Sequence, residues 1–341
     1  MPDTESRASL SRKSKFKGIK ISGKTLPWIF LAPLLIMIAL FWILPVALTV
    51  YLSFTDLTIK NFLAFICDFF TPNVKLTLNN FQKIFLGGDP YLPEVLKITA
   101  LYVGSVLAIN ALFAIVLSIA IAFFVRNEIL SMLLRVSWLL PRITPGIIYA
   151  LLWIWFIDPE VGLMNTFLKF MGMPESWLPS SWLLDKPQSQ LLMIIINGYV
   201  GASFGMIIYT AAIKSIPIDL INAALADGAS DFQIARHIII PLLRWPMLFV
   251  ISWQTLSLLA SYEYILMVWG AGGGGGYAGI ARAAGVMVYS LYSYTQAFSE
   301  YNYGYAAAIS LILVIIGIAL IMTYFKVFGF RRLMEPSRVE V

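Results

Sequence analysis

The sequence predicts an all-α integral membrane protein with six transmembrane helices, and two features of its 341 residues indicate this class. Hydrophobic residues make up 60% of the chain and charged residues only 12%, about half of the roughly 25% that a soluble domain carries. The apolar residues also form six long stretches, each near the ~20 residues that cross a bilayer. A soluble enzyme is excluded, because so few charges do not cover a surface that faces water.

The six predicted spans are runs with few or no charged residues. The first run is far longer than the roughly 7–15 apolar residues of a signal peptide, so we interpret it as a retained membrane anchor. The third run contains Pro141, Arg142 and Pro145, and the fifth contains Glu263 near its outer end. The spans are residues 28–53, 98–125, 133–157, 191–213, 247–269 and 304–325.

The distribution of Lys and Arg predicts the orientation of the chain. With the N-terminus in the cytoplasm, the cytoplasmic segments hold 16 of the 24 basic residues and the outer loops hold 7. Cytoplasmic loops are the ones that are normally rich in Lys and Arg. We therefore expect a multi-pass protein of the cell membrane with both termini in the cytoplasm. The basic N-terminal tail would also contact anionic lipid headgroups.

Residue counts and one rejected motif limit the chemistry. One cysteine, Cys67, and one histidine, His237, exclude a disulfide framework and multi-cysteine or two-histidine metal sites. Residues 18–25 match the phosphate-loop pattern G-x-x-x-x-G-K-[ST], but that loop needs a preceding strand and a following soluble helix. Here a short basic tail precedes the match and a membrane span follows it. We expect no catalytic residue, no metal and no nucleic acid; a nucleotide hydrolase that uses this match is the weaker alternative.

The cytoplasmic loop between the fourth and fifth spans has the signals of two short helices. Pro217 and Asp219 suit the first turn of a helix, and Gly228 can take the left-handed conformation that ends it. Ser230 with Gln233 three residues later forms a capping box that begins a second helix. Two prolines predict a break before the fifth span: Pro241 and Pro246. The loop is either a docking site, because its small residues allow close approach, or an amphipathic connector on the membrane surface.

The same loop resembles a known motif. It is similar to the EAA loop of the membrane subunits of ATP-binding-cassette (ABC) importers, in which E-A-A-x-x-D-G-A is followed at fixed spacing by I-x-L-P. In that family the loop seats in a groove of the ATPase and transmits its closure. The resemblance therefore implies that eight residues couple the chain to the ATPase: Asn222, Ala223, Ala224, Asp227, Gly228, Ala229, Ile238 and Pro241. Asn222 stands where the family has Glu. This asparagine implies that one charged contact is lost or replaced, and Ala235 stands where an aromatic residue is common.

The resemblance covers about residues 28–330 and implies the organisation of the chain. It points to the maltose and glycerol-phosphate branch of the family. The segments that resemble this branch are Asn80-Phe81, residues 141–165, the glycine run 272–276, Ala297-Phe298 and residues 304–308. The glycine run lacks the proline that usually follows it. It implies a type I importer (MetI-like) core of five helices plus one N-terminal helix. The implied parts are a basic tail (1–26), the N-terminal helix with the first outer loop (27–95), the core (96–330) with its coupling loop (214–246), and a cytoplasmic C-terminal tail (331–341).

The function implied by the resemblance is that of a permease subunit, not an enzyme. It would translocate a sugar or oligosaccharide, delivered by an external solute-binding protein, by alternating access. The implied partners are a second homologous permease subunit and two cytoplasmic ATPase subunits, which bind ATP and Mg; this chain itself would hold no cofactor. Two alternatives stay open: an ABC permease for a non-sugar solute such as glycerol 3-phosphate, and an ion-coupled secondary transporter. The latter predicts intramembrane carboxylates and internal repeats, and the sequence offers one marginal glutamate and no evident duplication.

Polar or small residues on single faces of the fourth and fifth spans mark a candidate solute path, because polar groups that face lipid are costly. Amides and hydroxyls suit the hydroxyls of a sugar, and aromatic rings suit its apolar face. The competing interpretation is helix packing, for which small and hydroxyl residues are typical; the two large amides fit it least. Together with Arg142, the candidates at helical spacing are Asn197, Gly201, Phe204, Gln254, Ser257 and Ser261.

Arg142 and Glu263 are the ionisable residues inside the predicted spans. Counted from the inner ends at 1.5 Å per residue, they lie about 14 Å and about 24 Å deep, so we expect no direct ion pair between them. An intramembrane charge is a functional candidate. Arg142 would contact an anionic solute in a cavity or cap carbonyls that Pro145 leaves free, and the sequence leaves both interpretations open.

Overall fold

The computed structural model of the protein describes residues 26–68, 75–270 and 276–329. The phosphate-loop match, residues 1–25 of the predicted basic tail, most of the glycine run and the predicted C-terminal tail lie outside the described residues. The chain divides into two compact units, residues 1–48 and 49–341. The described residues that carry the candidate sites all belong to the second unit.

Fifteen helices account for the regular structure of the described residues, apart from short 3-10 turns. They are α1 (Pro27–Ser53), α2 (Phe62–Asp68), α3 (Asn79–Phe85), α4 (Leu92–Phe124), α5 (Glu128–Ile143), α6 (Gly146–Phe156), α7 (Leu163–Phe170), α8 (Gln188–Lys214), α9 (Ile218–Ala226), α10 (Asp231–Leu242), α11 (Arg244–Ala260), α12 (Glu263–Gly270), α13 (Gly276–Ala283), α14 (Tyr289–Phe298) and α15 (Tyr303–Val327).

Four of these helices are long and apolar enough to cross a membrane. They are α1, α4, α8 and α15, which confirm the predicted first, second, fourth and sixth spans. The ends of the helices differ from the predicted ones. Helix α4 begins earlier, at Leu92, since Pro93 fits the first helical turn and Glu94 fits the positive end of the helix dipole.

The predicted third span is not one helix. Helices α5 and α6 meet at an angle of 94°. Pro145 has no N–H to donate, and Thr144 before it takes the extended conformation (φ −66°, ψ 131°) that a residue preceding proline prefers. The apolar pattern did not reveal this bend because both arms are apolar. Arg142 therefore lies at the end of α5, beside the bend.

The predicted fifth span is also interrupted. Helix α11 ends at Ala260 and α12 begins at Glu263, with Ser261 in an extended conformation (φ −72°, ψ 120°) between them. Helix α10 in turn meets the segment Arg244–Gly270 at 63°. If each bent pair is counted as one span, the described residues contain six spans. The prediction of an all-α membrane protein with six spans is confirmed in this form.

Close packing of α4 against α8 forms the centre of the second unit. Three glycines at helical spacing on α8 allow the approach: Gly198, Gly201 and Gly205. A Cβ added to Gly205 would lie 2.6 Å from the Cβ of Ala114, and one added to Gly201 would overlap the side chain of Asn110. Small residues are typical of such seams in membrane proteins, because they let two backbones come close.

Candidate functional site

The coupling loop folds into the two predicted short helices, α9 and α10. The turn between them contains Gly228 at φ +81°, the left-handed conformation that glycine adopts without steric cost. The capping box is present: the N–H of Ser230 donates to Oε1 of Gln233 (2.8 Å), and the N–H of Gln233 donates to Oγ of Ser230 (3.4 Å). The break predicted before the fifth span from Pro241 and Pro246 is present as a bend of 63° between them, since α10 continues past Pro241 to Leu242 and α11 begins at Arg244.

A buried base attaches this loop to the membrane helices. Ile234, Ile239 and Leu243 are each exposed by 1% or less. They belong to an apolar cluster that includes Ala114 of α4 and Tyr209 of α8. Because buried side chains interdigitate at crystal-like density, a displacement of the loop shifts the helices against which it packs. The loop is thus packed against the C-terminal ends of two long helices, α4 and α8.

The other side of the loop exposes most of the residues that match the EAA motif. Five are exposed and three are half-buried against the base. The exposed ones are Asn222, Ala223, Asp227, Gly228 and Pro241, and the half-buried ones are Ala224, Ala229 and Ile238. Small side chains on an exposed helix leave room for another surface to approach the backbone. The arrangement is compatible with docking, and the coupling role of each residue stays a prediction.

A concavity of about 330 Å³ lies between α10 and the turn that precedes it. Asp227 and Gly228 line it from the turn, and Gln233 and His237 line it from α10. Nδ1 of His237 lies 3.1 Å from the carbonyl oxygen of Gln233. The concavity therefore combines a carboxylate, an imidazole and small residues at the exposed edge of the loop.

A second candidate surface consists of three aromatic rings with Arg142 beside them. We call the three rings, Phe204, Phe249 and Trp253, the aromatic face. The guanidinium carbon of Arg142 lies 5.4 Å from the ring centroid of Phe204. Phe204 stacks on Trp253 with centroids 6.1 Å apart, and its centroid is 6.4 Å from that of Phe249. Ser257 is exposed one turn beyond Trp253. Of the predicted path residues, Arg142, Phe204 and Ser257 are thus on an accessible side of the second unit.

Gly201 and Gln254 lie in the helix seam instead. Nε2 of Gln254 donates to the carbonyl oxygen of Gly201 (2.7 Å), and Gln254 is only 5% exposed. Gly201 accommodates Asn110 of α4, as described above. The structure therefore gives both residues a contact between helices, and a role for them on a solute path stays a prediction. The sequence argument that a large amide is not needed for packing overlooked this bond between a side chain and a backbone carbonyl.

Asn197 and Ser261 belong to a polar network beside the break between α11 and α12. Nδ2 of Asn197 donates to the hydroxyl of Tyr102 and lies 3.4 Å from Oγ of Ser261. The Tyr102 hydroxyl donates to the same Oγ at 3.4 Å. The hydroxyl of Ser290 donates to the carbonyl oxygen of Ser261 (2.8 Å), which has no helical partner at the break. Sequence reasoning missed Tyr102, although a hydroxyl in an otherwise apolar run is a signal for such a network.

The family of the chain follows from comparison with known proteins. The family model described as "Binding-protein-dependent transport system inner membrane component" matches residues 114–332, which include the coupling loop and the aromatic face. The chain belongs to this family. The predicted resemblance is confirmed, and with it the MetI-like permease fold. The permease core begins within α4 in this match.

Individual relatives of this permease agree with that assignment. A probable ABC transporter permease protein of Pyrococcus horikoshii is 28% identical over 306 residues, 88% of this chain and 94% of the relative. The trehalose/maltose transport system permease protein MalF of Thermococcus litoralis is 26% identical over 334 residues, 95% and 99% of the two chains. A crystal structure of a bacterial alginate ABC transporter, in complex with an alginate pentasaccharide-bound periplasmic protein, matches with a TM-score of 0.72 and 21% identity over 91% of this chain and 95% of that chain.

The permease also contains a buried carboxylate that sequence reasoning missed. Asp89 is 4% exposed, and its Oδ2 accepts hydrogen bonds from the hydroxyls of Tyr292 (2.6 Å) and Tyr305. Burial raises the pKa of Asp89, but these two bonds, the N–H of Tyr91 and the charge of Lys83 together hold its pKa below the ordinary value of 3.8. No local pattern marks this cluster, because its members are about 200 residues apart.

The Asn80-Phe81 pair, in the predicted first outer loop, contacts the residues at the end of α1. Nδ2 of Asn80 donates to the carbonyl oxygens of Ser53 (3.0 Å) and Thr55 (2.9 Å), which follow the end of α1. The ring of Phe81 packs on Phe54 with centroids 5.0 Å apart. The pair therefore ties the outer loop to the chain that leaves the first span.

Proposed function

We propose that this chain is the permease subunit of an ATP-driven importer, and that its coupling loop (214–246) docks on a cytoplasmic ATPase. The observation that carries the proposal is the construction of the loop, with an exposed face of small motif residues on a buried base. Movement imposed on α9 and α10 reaches α4 and α8 through Ile234, Ile239 and Leu243, which are buried in one apolar cluster with residues of both long helices. The loop can therefore transmit the closure of a motor to the helices.

The proposal places chemistry and transport on different chains. Two ATPase subunits bind ATP and Mg and hydrolyse the nucleotide, and this chain holds no cofactor. A second homologous permease subunit completes the path, and an external solute-binding protein delivers the solute. The loop and both termini lie in the cytoplasm of a cell in whose membrane the protein resides, as the bias of basic residues supports.

The solute is a sugar or oligosaccharide. Trp253 and Phe249 are 53% and 51% exposed beside the half-buried Phe204. Aromatic rings that are accessible at the level of the membrane suit the apolar faces of a pyranose ring. The saccharide systems among the relatives, such as the trehalose/maltose permease protein, support the same solute class.

A bulky residue at Gly228 tests the docking of the loop. Gly228 is in the left-handed region, and a Cβ added there would meet no other atom within 4 Å, so the side chain of Gly228→Trp projects into open space. We expect ATP-driven uptake in proteoliposomes of the complete transporter to fall about tenfold or more, as for a central interface residue, with normal insertion of the chain. Uptake equal to that of the wild type would contradict the docking role.

The matched control is Gly172→Trp in the loop that follows α7. Gly172 also has a positive φ (+89°) and open space around it, so this variant carries the same backbone strain without altering the coupling loop. We expect it to keep its uptake. If both variants lose uptake, Gly228→Asn separates strain from docking, because asparagine tolerates the left-handed conformation.

A further inference from the structure

Arg142 is a charged residue for which the fold supplies no counter-ion. It is exposed at the end of α5, and its guanidinium contacts the ring of Phe204. The ion pairs among the described residues are Lys169–Glu175, Lys186–Glu94 and Lys214–Glu128, and Arg142 is in none of them. The predicted absence of an ion pair with Glu263 is thus confirmed for the described chain.

The structure does not give Arg142 its alternative role, which is to cap a carbonyl that Pro145 leaves free. The nearby hydroxyl and N–H of Thr144 both donate to the carbonyl oxygen of Leu140, at 2.9 and 3.2 Å. Within the described chain Arg142 makes no hydrogen bond to a carbonyl. Its five N–H donors are therefore available to a group that the chain does not provide.

The guanidinium of Arg142 lies beside rings that are near the middle of the membrane. Phe204 lies ten residues before the cytoplasmic end of α8 at Lys214, and Trp253 lies nine residues after the start of α11 at Arg244. At 1.5 Å per residue both rings are about 14–15 Å from the inner ends of their helices, near the middle of a hydrocarbon core about 30 Å thick. A charge at that depth is costly against lipid, so it faces a cavity or a polar partner.

The neighbours of Arg142 favour a ring-shaped partner that carries an anion. The aromatic face presents Phe204, Phe249 and Trp253 beside the guanidinium, and all three rings are accessible. The contact with the Phe204 ring uses no hydrogen-bond acceptor, and the planar edge of a guanidinium matches a carboxylate or a phosphate with two parallel hydrogen bonds. A saccharide that lays one face on the rings would bring an acidic substituent to this edge.

We propose that Arg142 and the aromatic face form a subsite for an anionic saccharide on the translocation path. This inference rests on the proposed function and adds the charge of the solute to it. The shared chemistry is a sugar or polyol that carries a carboxylate or a phosphate. The rings bind the apolar face of the solute, and Arg142 neutralises its anion in the middle of the membrane.

The test uses the complete transporter in proteoliposomes with its solute-binding protein. Uptake is measured for three probes: an oligomer of a hexuronic acid, glycerol 3-phosphate and a neutral oligosaccharide of the same length as the uronide. We expect uptake of an anionic probe, and a loss of about tenfold or more in Arg142→Gln, because this substitution removes the charge-assisted hydrogen bonds to the anion. Arg142→Lys should lose less, since it keeps the charge but not the planar edge.

The matched control is Arg135→Gln, which removes a basic residue two helical turns earlier on the same side of α5. The Nε of Arg135 donates to the carbonyl oxygen of Ser131, so it is engaged within its own helix, and we expect uptake within about twofold of the wild type. The ATPase activity without solute should be unchanged in all three variants, because none alters the coupling loop.

The outcomes separate this inference from the proposed function. ATP-driven uptake of the neutral probe alone would overturn the subsite and leave the proposed permease function standing. Anion uptake that Arg142→Gln leaves intact would do the same. This second result is also expected if a carboxylate of the partner permease pairs with Arg142. The absence of ATP-driven uptake of all three probes would overturn both. Preference for the uronide or for glycerol 3-phosphate identifies which anion the subsite accepts.

Discussion

At the scale of single residues, the charged side chains of Asp89 and Arg142 differ in burial and in hydrogen bonding. Asp89 is buried and receives hydrogen bonds from Tyr292, Tyr305 and the N–H of Tyr91. Arg142 is exposed, contacts the ring of Phe204 and is in no ion pair of the described residues. A charge whose hydrogen bonds are complete stabilises the fold it belongs to, whereas an accessible one without a counter-ion is suited to a solute.

Replacing Asp89 should therefore weaken the fold. We expect Asp89→Asn to lower the free energy of unfolding by about 2–3 kcal/mol, because the tyrosine hydroxyls lose a charged acceptor. The measurement is the Tm of the purified protein in detergent, compared with Glu300→Gln, which removes an exposed carboxylate on the same outer side. An unchanged Tm in Asp89→Asn would contradict this role.

The same carboxylate predicts a dependence on pH. Since the pKa of Asp89 is lower in the folded protein than its ordinary value of 3.8, its contribution is complete above that value and is lost as the pH falls through the lowered pKa. The Tm of the wild type should thus fall in acid below about pH 3.8, and the difference between wild type and Asp89→Asn should shrink there. A difference that stays constant into acid would indicate that the ionised carboxylate is not the stabilising form.

At the scale of helices, some membrane segments are interrupted and others are continuous and closely packed. Pro145 interrupts the predicted third span and an extended Ser261 interrupts the fifth, where the hydroxyl of Ser290 satisfies the carbonyl oxygen of Ser261. Glycines do the opposite in α8, where they allow continuous contact with α4. Helix α8 is unbroken from the outer loops to the coupling loop, and it carries Phe204 along its length. It connects the two candidate surfaces through one rigid element.

The α4–α8 seam predicts a specific coupling between two residues. Gly205→Ala places a Cβ 2.6 Å from that of Ala114, so we expect a loss of about 1–3 kcal/mol from overpacking. Ala114→Gly in the same chain should restore part of that loss, and the double-mutant cycle measures the restored energy through the Tm. Gly104→Ala on α4 meets no atom within 4 Å and serves as the control. Purely additive effects would contradict direct contact.

At the scale of the whole molecule, the exposed surfaces of the second unit are those that the proposal assigns to partners. The motif residues of α9 and the rings of the aromatic face are accessible in the single chain. The basic residues are concentrated on the side assigned to the cytoplasm. In the proposed function the chain is one member of an assembly, with its solute surface in the membrane and its docking surface at the C-terminal ends of α4 and α8.

The sidedness of the coupling loop is directly testable. In a Cys67→Ser background, Ala226→Cys on the exposed side of α9 should react with a membrane-impermeant maleimide only from the cytoplasmic side. Glu175→Cys, after α7, should react only from outside; both original residues are exposed. Bound ATPase subunits should protect position 226 and leave position 175 reactive. Labelling of position 226 from outside would contradict the proposed orientation.

The sequence by itself determined the membrane class, the number of apolar segments and the helix–turn–helix of the coupling loop. These properties are local: a span depends on the hydropathy of its own residues, and the turn depends on Gly228 and the Ser230–Gln233 box. Spacing along a helix also placed Phe204 among the candidates, and its charge inside an apolar span placed Arg142 there. It did not distinguish them from Gly201 and Gln254, which have similar spacing and lie in a seam.

Only the tertiary structure decided which polar residues face a neighbouring helix and which face an open surface. That choice depends on the rotation of each helix and on the bend at Thr144, which brings the end of α5 to Phe204. It also revealed the burial of Asp89, whose partners are about 200 residues away along the chain. Contacts over such distances arise from the packing of the helices, and no pattern within one helix encodes them.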